Sequence, residues 1–216
     1  MAKRPFPGKT KTRLVPPLSF EAAAQLYECF LQDVLELVRT VSKATPFIAY
    51  APQEETAYFE QLAPDFSLVP QIGNTLSERL DYVMSTCSAN GFDQVVAMNS
   101  DSPTLPAAYL QEAFVHLDKS STDIVLGPCE DGGYYLIGWK RPFAPLIRQV
   151  EMSTSHVLED TLAIAKANNL RVTLLPTWYD TDTIVELDRL KEELLHNPHH
   201  AKQSHYFFNN IAHSIE

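Results

Sequence analysis

The sequence predicts a single α/β domain with a largely parallel sheet and helices on both faces. Two observations carry that expectation. Short apolar runs alternate with longer amphipathic stretches along the 216 residues, and no internal repeat or low-complexity linker interrupts them. In addition, Gln94 to Met98 is an apolar run without in-and-out alternation, the pattern of a strand covered on both faces. The length and the 45% apolar content suffice for one substantial core and exclude a disordered chain.

Taken in order, Ser19 is the N-cap of a helix to about Thr40, with Ala23, Leu26, Tyr27, Phe30, Val34, Leu37 and Val38 on one stripe. A strand follows at Pro46 to Ala51, then a weak helix from Glu54 to Leu62 and a small strand from Ser67 to Pro70. Thr75 to Ala89 reads as a helix closed by Asn90-Gly91. Beyond the Gln94 to Met98 strand come a helix at Pro106 to Lys119 and strands at Asp123 to Leu126 and Tyr134 to Gly138. Ser153 to Asn169 is helical, Arg171 to Leu175 a strand, and Ile184 to His196 a helix stopped by Asn197-Pro198. The domain is thus expected over residues 1–197, with a C-terminal tail over 198–216. In such sheets ligands bind beyond the carboxyl ends of the strands, so the loops after strands hold the chemistry.

The charge balance narrows the partners. Seventeen Lys and Arg against 27 Asp and Glu give a net charge of −10, which repels nucleic acid. No apolar run approaches the roughly 18 to 20 residues of a membrane span, and no signal-peptide core is visible, so a cytoplasmic location is expected. Cys29, Cys87 and Cys129 are too far apart for a Cys-x-x-Cys site or a disulfide framework. Cys29 and Cys87 fall on apolar helix faces, and no particular histidine partner is implied for Cys129. His196, His199, His200, His205 and His213 show no metal-ligand spacing.

Four segments remain as carriers of chemistry. Lys3 to Leu14 concentrates Lys3, Arg4, Lys9, Lys11 and Arg13 around Gly8 in an otherwise acidic chain, which suits a diphosphate. It lacks Walker A spacing. Val95 to Pro103 runs from a strand into Asp101, a position from which one carboxylate beside substrate phosphates holds Mg²⁺ or Mn²⁺; the bland alternative is an Asx turn. Leu126 to Gly138 contains Asp131-Gly132, a type I′ hairpin signal, together with Glu130, Gly133, Tyr134 and Tyr135, which suit a pocket for a polar ring. Trp178 to Thr183 carries Asp180 and Asp182, one more aspartate than helix capping requires, so one of them completes a metal site with Asp101.

In this order the segments resemble a bacterial family of nucleotide-diphospho-sugar transferases, the arsenosugar-biosynthesis type of glycosyltransferase. The matching stretches are Pro5-Phe6-Pro7-Gly8-Lys9-Thr10-Lys11-Thr12-Arg13-Leu14, Ser100-Asp101-Ser102-Pro103-Thr104-Leu105-Pro106, Gly127-Pro128 with Asp131 to Gly138, and Asp180-Thr181-Asp182-Thr183. Asn74-Thr75-Leu76-Ser77-Glu78-Arg79 is a looser version of a further family loop, and the resemblance runs from about residue 3 to about residue 195. It implies a GT-A-like fold, a three-layer αβα Rossmann-like sandwich. By the same resemblance Gly8, Lys9, Lys11, Arg13 and Arg79 bind the nucleotide phosphates, Asp101 and Asp182 hold the divalent cation, and Gly132, Gly133 and Tyr134 line the substrate pocket. Asp131 or Asp182 positions or deprotonates the acceptor. Three positions depart from the family pattern: Ser77 and Asn99 stand where glycine is common, and only Met1 and Ala2 precede Lys3. Either translation begins upstream of Met1 or the first strand is short.

The expectation is therefore a Mg²⁺- or Mn²⁺-dependent enzyme that transfers a sugar from a nucleotide-sugar donor to a small acceptor. Its rivals are a guanylyltransferase-like nucleotidyltransferase that releases pyrophosphate, and a non-catalytic nucleotide-binding protein. The sequence gives no oligomeric state.

Overall fold

The computed structural model describes residues 1–210. β1 (Ala2–Lys3), β2 (Phe47–Ala51) and β3 (Ser67–Pro70) form a parallel sheet in that order. β4 (Val95–Met98), β5 (Ile124–Pro128), β6 (Tyr134–Trp139) and β7 (Val172–Leu174) form a second, in the order β4-β6-β5-β7. β6 follows β5 by a hairpin and runs antiparallel to both its neighbours, while β5 and β7 are parallel. The two sheets meet where the Met1 amino group donates to the Met98 carbonyl at 2.8 Å. The Lys3 amide and the Ser100 hydroxyl meet one Tyr27 hydroxyl, so β1 lies beside the end of β4.

The alternation of side chains along each strand builds two layers of core. Val125 and Leu136 point toward α4 (Ala107–Asp118), packing with Leu110, Ala113 and Leu117. Their neighbours Ile124, Leu126 and Ile137 point the other way, toward α3 (Leu76–Ala89), α5 (Pro145–Arg148) and α6 (Val157–Ala167). In β2, Ile48 and Tyr50 pack with α1 (Phe20–Arg39), α2 (Thr56–Leu62) and α7 (Ile184–His196), whereas Ala49 packs with Val83 of α3. The period of two is what lets one sheet carry helices on both faces. The result is a mixed α/β fold with a mostly parallel sheet. No helix among the described residues is long and apolar enough to cross a membrane.

The helix starts follow local chemistry. The Ser19 hydroxyl accepts from the Ala22 amide at 3.1 Å, and Thr75 and Glu78 make a reciprocal capping box on α3. The predicted helix from Ser153 begins only at Val157, because Ser153 has φ +68° and turns the chain out of the right-handed helical region. The short first strand pairs only with Tyr50 and Ala51. Beside it Phe47 and Ala49 of β2 and Val95 to Ala97 of β4 line an apolar cavity of about 300 Å³.

Two helices were not expected from periodicity. α5 is a single turn, and α8 (Lys202–Asn210) lies inside the stretch expected as a tail. α8 docks on α1: Phe207 is fully buried in the α1–α7 core. The buried Asp33 carboxylate accepts from the Gln203 and Ser204 amides, each at 2.9 Å, and from the Ser204 hydroxyl at 2.7 Å. The chain from Pro198 to Asn210 is therefore part of the fold; the remainder of the expected tail, with His213, lies outside the described residues. Phe207→Ala should lower the unfolding free energy in urea by about 3–5 kcal/mol, the usual cost of emptying a buried phenyl site. A loss below about 1 kcal/mol would contradict the docking of α8 as a core contact.

Candidate functional site

The basic loop after β1 folds on itself before it reaches a ligand. The Phe6 carbonyl accepts from the Lys9 and Thr10 amides, the Thr10 hydroxyl accepts from the Phe6 amide, and Gly8 has φ +73°. Arg4 pairs with Glu55 and lies over the rings of Phe6 and Tyr58, so it anchors the loop to α2. Lys11 then adopts the left-handed conformation, φ 49° and ψ 38°, just ahead of the 3₁₀ turn Thr12–Leu14. A non-glycine residue there is held at a cost of order 1 kcal/mol, and the surroundings show what holds it.

The Lys11 side chain is only 4% exposed, and its Nζ lies 2.5 Å from Asp101 Oδ1, 2.7 Å from Asp182 Oδ1 and 2.8 Å from the Thr181 carbonyl. Burial opposes its charge, and the two carboxylates more than offset that, so the ammonium is held above its ordinary pKa. The loops bearing the two aspartates are stitched together, the Thr181 amide donating to the Asp101 carbonyl at 2.9 Å. Asn99 joins them: its Nδ2 donates to Asp180 Oδ1 at 2.6 Å, and its Oδ1 accepts from the Asp101 amide at 3.3 Å. Ser102 at 2.7 Å and the Cys129 thiol at 3.3 Å converge on that same Asp180 oxygen. Burial first, then the nearby Asp101 charge, raises the Asp180 pKa despite these donors.

Two connected chambers open on this junction. The smaller, about 340 Å³, is lined by Lys3, Lys9, Lys11, Arg13, Tyr27 and Gln71. The larger, about 590 Å³, runs along β4 and β6 past Asp131, Gly133, Tyr134, Leu80 and the 152–155 loop. Arg13, Asp101 and Asp182 belong to both. This is a cleft at the carboxyl ends of β1, β4 and β7, closed on one side by the β5–β6 hairpin.

A family model described as an uncharacterized protein conserved in bacteria, DUF2064, matches residues 34–154, more than half of the chain. The chain belongs to this family. A solved structure from Desulfovibrio desulfuricans G20, described as a "putative nucleotide-diphospho-sugar transferase", is 32% identical, covers 99% of this chain and 94% of its own, and superposes with a TM-score of 0.90. Two more distant structures share the fold. One is a CMP:2-keto-3-deoxy-manno-octonic acid synthetase complexed with CTP, at 11% identity, 78% and 88% coverage and a TM-score of 0.55. The other is a 4-diphosphocytidyl-2C-methyl-D-erythritol synthase from Anaerococcus prevotii DSM 20548, at 8% identity, 77% and 86% coverage and a TM-score of 0.54. No curated protein matches the chain.

In the DUF2064 chain, Lys9, Lys11, Arg13, Asp101, Asp131, Gly133, Tyr134 and Asp182 all line the cleft. Three residues anticipated there do not. Arg79 donates through Nε to the Gly73 carbonyl at 2.9 Å and braces the loop before α3. Gly8 lies in the turn of the basic loop at φ +73°, outside the cleft lining. Gly132 is covered by the 153–156 loop: a Cβ there would meet the Ser155 carbonyl at 2.0 Å, and the Gly132 carbonyl accepts from the Leu158 amide at 2.9 Å. Of the hairpin residues Glu130, Asp131 and Gly132, only Gly132 has positive φ, +89°, so the turn is type I with a left-handed glycine rather than type I′. Cys129 is buried with its thiol donating to Asp180 Oδ1, and burial together with Asp180 pushes the thiol up, which disfavours the thiolate.

The 152–155 loop was missed as part of the site, and Asn99 was noted only as standing where glycine is common. The paired aspartates around Thr181 signalled that one carboxylate was in surplus, but not which would turn inward. Gly132→Ala should lower the unfolding free energy by more than about 2 kcal/mol, from positive φ plus a backbone clash. Gly8→Ala, at φ +73° with open space around the added Cβ, should cost only about 1 kcal/mol. Urea unfolding compares them, and equal losses would contradict the close seating of Ser155 on Gly132.

Proposed function

We propose that this DUF2064 protein transfers a sugar from a nucleotide-diphospho-sugar donor to the hydroxyl of a small acceptor, with a divalent cation. The chain has a nucleotide-diphospho-sugar transferase-like fold. The observation that carries the finer reading is the convergence of Lys11, Asp101 and Asp182 at the boundary between a cationic chamber and an acidic one.

The donor set at that boundary fits Mg²⁺ or Mn²⁺. Asp101 and Asp182 come close enough to share one ammonium, and two carboxylates plus substrate phosphates are a common set for Mg²⁺. Among the described residues no cluster of three or more His, Cys, Asp or Glu forms a complete cage, so the remaining ligands are assigned to phosphate and water. Bound there, the cation would neutralise charge on the departing diphosphate.

The chain's own residues do the rest. Lys3, Lys9 and Arg13 face the diphosphate and stabilise its growing charge as the bond from the anomeric carbon to phosphate oxygen breaks. The acceptor oxygen forms the new bond and its proton passes to a carboxylate, Asp131 or Asp182. Lys11 keeps the basic loop fixed against the two aspartates, so the phosphate cations and the carboxylates stay in register.

The test is transfer from UDP-, GDP-, ADP- and dTDP-sugars with Mn²⁺ or Mg²⁺. Asp101→Asn should cost at least about 100-fold in rate, as removal of a transition-state charge partner does. It should also lower the melting temperature because the buried Lys11 keeps only one carboxylate, so the rates are compared well below the variant's melting temperature. A variant at the parental rate contradicts the reading. Pyrophosphate release from a nucleoside triphosphate would reassign the chain to nucleotidyl transfer.

A further inference from the structure

The two chambers differ in sign, and that difference speaks to the second substrate. The smaller chamber is lined by four cationic side chains, Lys3, Lys9, Lys11 and Arg13, against two carboxylates, Asp101 and Asp182. In the larger, Lys3 and Arg13 lie only at the shared boundary, where Asp101 and Asp182 are paired with Lys11. Lys9 and Lys11 are absent from its lining, and Asp131 and the buried, hydrogen-bonded Asp180 are added. Beyond the boundary its described lining holds no Lys or Arg. A concave, partly apolar wall strengthens such a field by excluding water.

The rest of the larger chamber has the chemistry of a ring-binding surface. Leu80, Ile137 and Met152 supply an apolar wall, and Ser153, Thr154 and Ser155 supply a row of hydroxyls. That row is fixed relative to Asp131, because the Ser155 carbonyl sits directly on Gly132. Ser153 is held at φ +68°, a conformation that persists only where its surroundings impose it. C–H faces of a ring fit the apolar wall, and ring hydroxyls or an amine fit the serine row and the carboxylates.

We propose that the acceptor is an uncharged or cationic hydroxylated ring, and that phosphorylated or carboxylated acceptors are excluded from the larger chamber by its charge. The proposal rests on the glycosyl-transfer reading for what happens to the acceptor, but its charge selectivity stands on the chamber. It also separates this chain from an enzyme that joins a nucleotide to a phosphorylated substrate.

The experiment measures the field without needing the ligand. Ser155→Cys, and separately Ser153→Cys, places a thiol on the chamber wall; Cys87 and Cys129 are buried and the Cys29 thiol is pushed up to about 12 by burial, so the parent gives the background. The thiol is reacted with a cationic and an anionic methanethiosulfonate of similar size, and each rate is divided by that of free cysteine. The cationic reagent should lead by about tenfold, the scale of field focusing in charged clefts, and Asp131→Asn should shrink the lead. An anionic reagent that reacts as fast or faster at both positions overturns the proposal. A separate arm follows the melting temperature with inorganic pyrophosphate and Mg²⁺. No shift there counts against the donor reading and leaves the rate ratio unaffected, so the two failures are distinguishable.

Discussion

One buried ammonium organises this molecule. Lys11 Nζ is taken out of water and satisfied by two carboxylates and a carbonyl, and those acceptors come from the loops after β4 and β7. Removing the charge would leave Asp101 and Asp182 facing each other with Asp180 close by. Removing either carboxylate would leave a buried cation with half its compensation. The interaction therefore ties three distant pieces of sequence into one site, and it sets Lys11 in a left-handed conformation that open solvent would not maintain.

The sheet makes that convergence available. β1 lies beside the end of β4, so the basic loop leaves the sheet next to the Asp101 loop. β7 pairs with β5 and sends the Asp180–Asp182 segment back across the Asp101 loop, where the Thr181 amide meets the Asp101 carbonyl. The β5–β6 hairpin rises beside them, its Gly132 pinned under Ser155, and so brings Asp131 and the 152–155 hydroxyls to the opposite wall. Lys9 and Lys11 lie on one side of the junction and Asp131 and Asp180 on the other, with Lys3, Arg13, Asp101 and Asp182 shared between them, which gives a cleft with two electrostatic characters rather than a uniform basic pocket.

Much of this is legible in the sequence. Gln94 to Met98 announced a strand, though Val96 and Ala97 are only half-buried, and its run into Asp101 pointed to the cleft at its end. The Ser19 cap was visible as local chemistry. What stayed hidden was set by tertiary packing. α8 is polar along most of its length, and its place depends on Asp33 and on one buried face around Phe207. Asp180 becomes a site residue only because Asn99, Ser102 and Cys129, from three other positions, converge on one of its oxygens. Gly132 looked like ligand-binding glycine, but what needs the missing side chain is a loop from further along the chain. Arg79 looked like a phosphate cation and is used as a brace for Gly73.

The central claim is that the Lys11, Asp101 and Asp182 junction is where diphosphate and divalent cation meet. The most direct test is an anomalous-difference map from a crystal grown with Mn²⁺ and a nucleoside diphosphate. The account predicts a manganese peak bonded to Asp101 and to diphosphate oxygens, with Arg13 or Lys9 on the remaining phosphate oxygens. A diphosphate bound away from the junction, or manganese held without either aspartate, would contradict it.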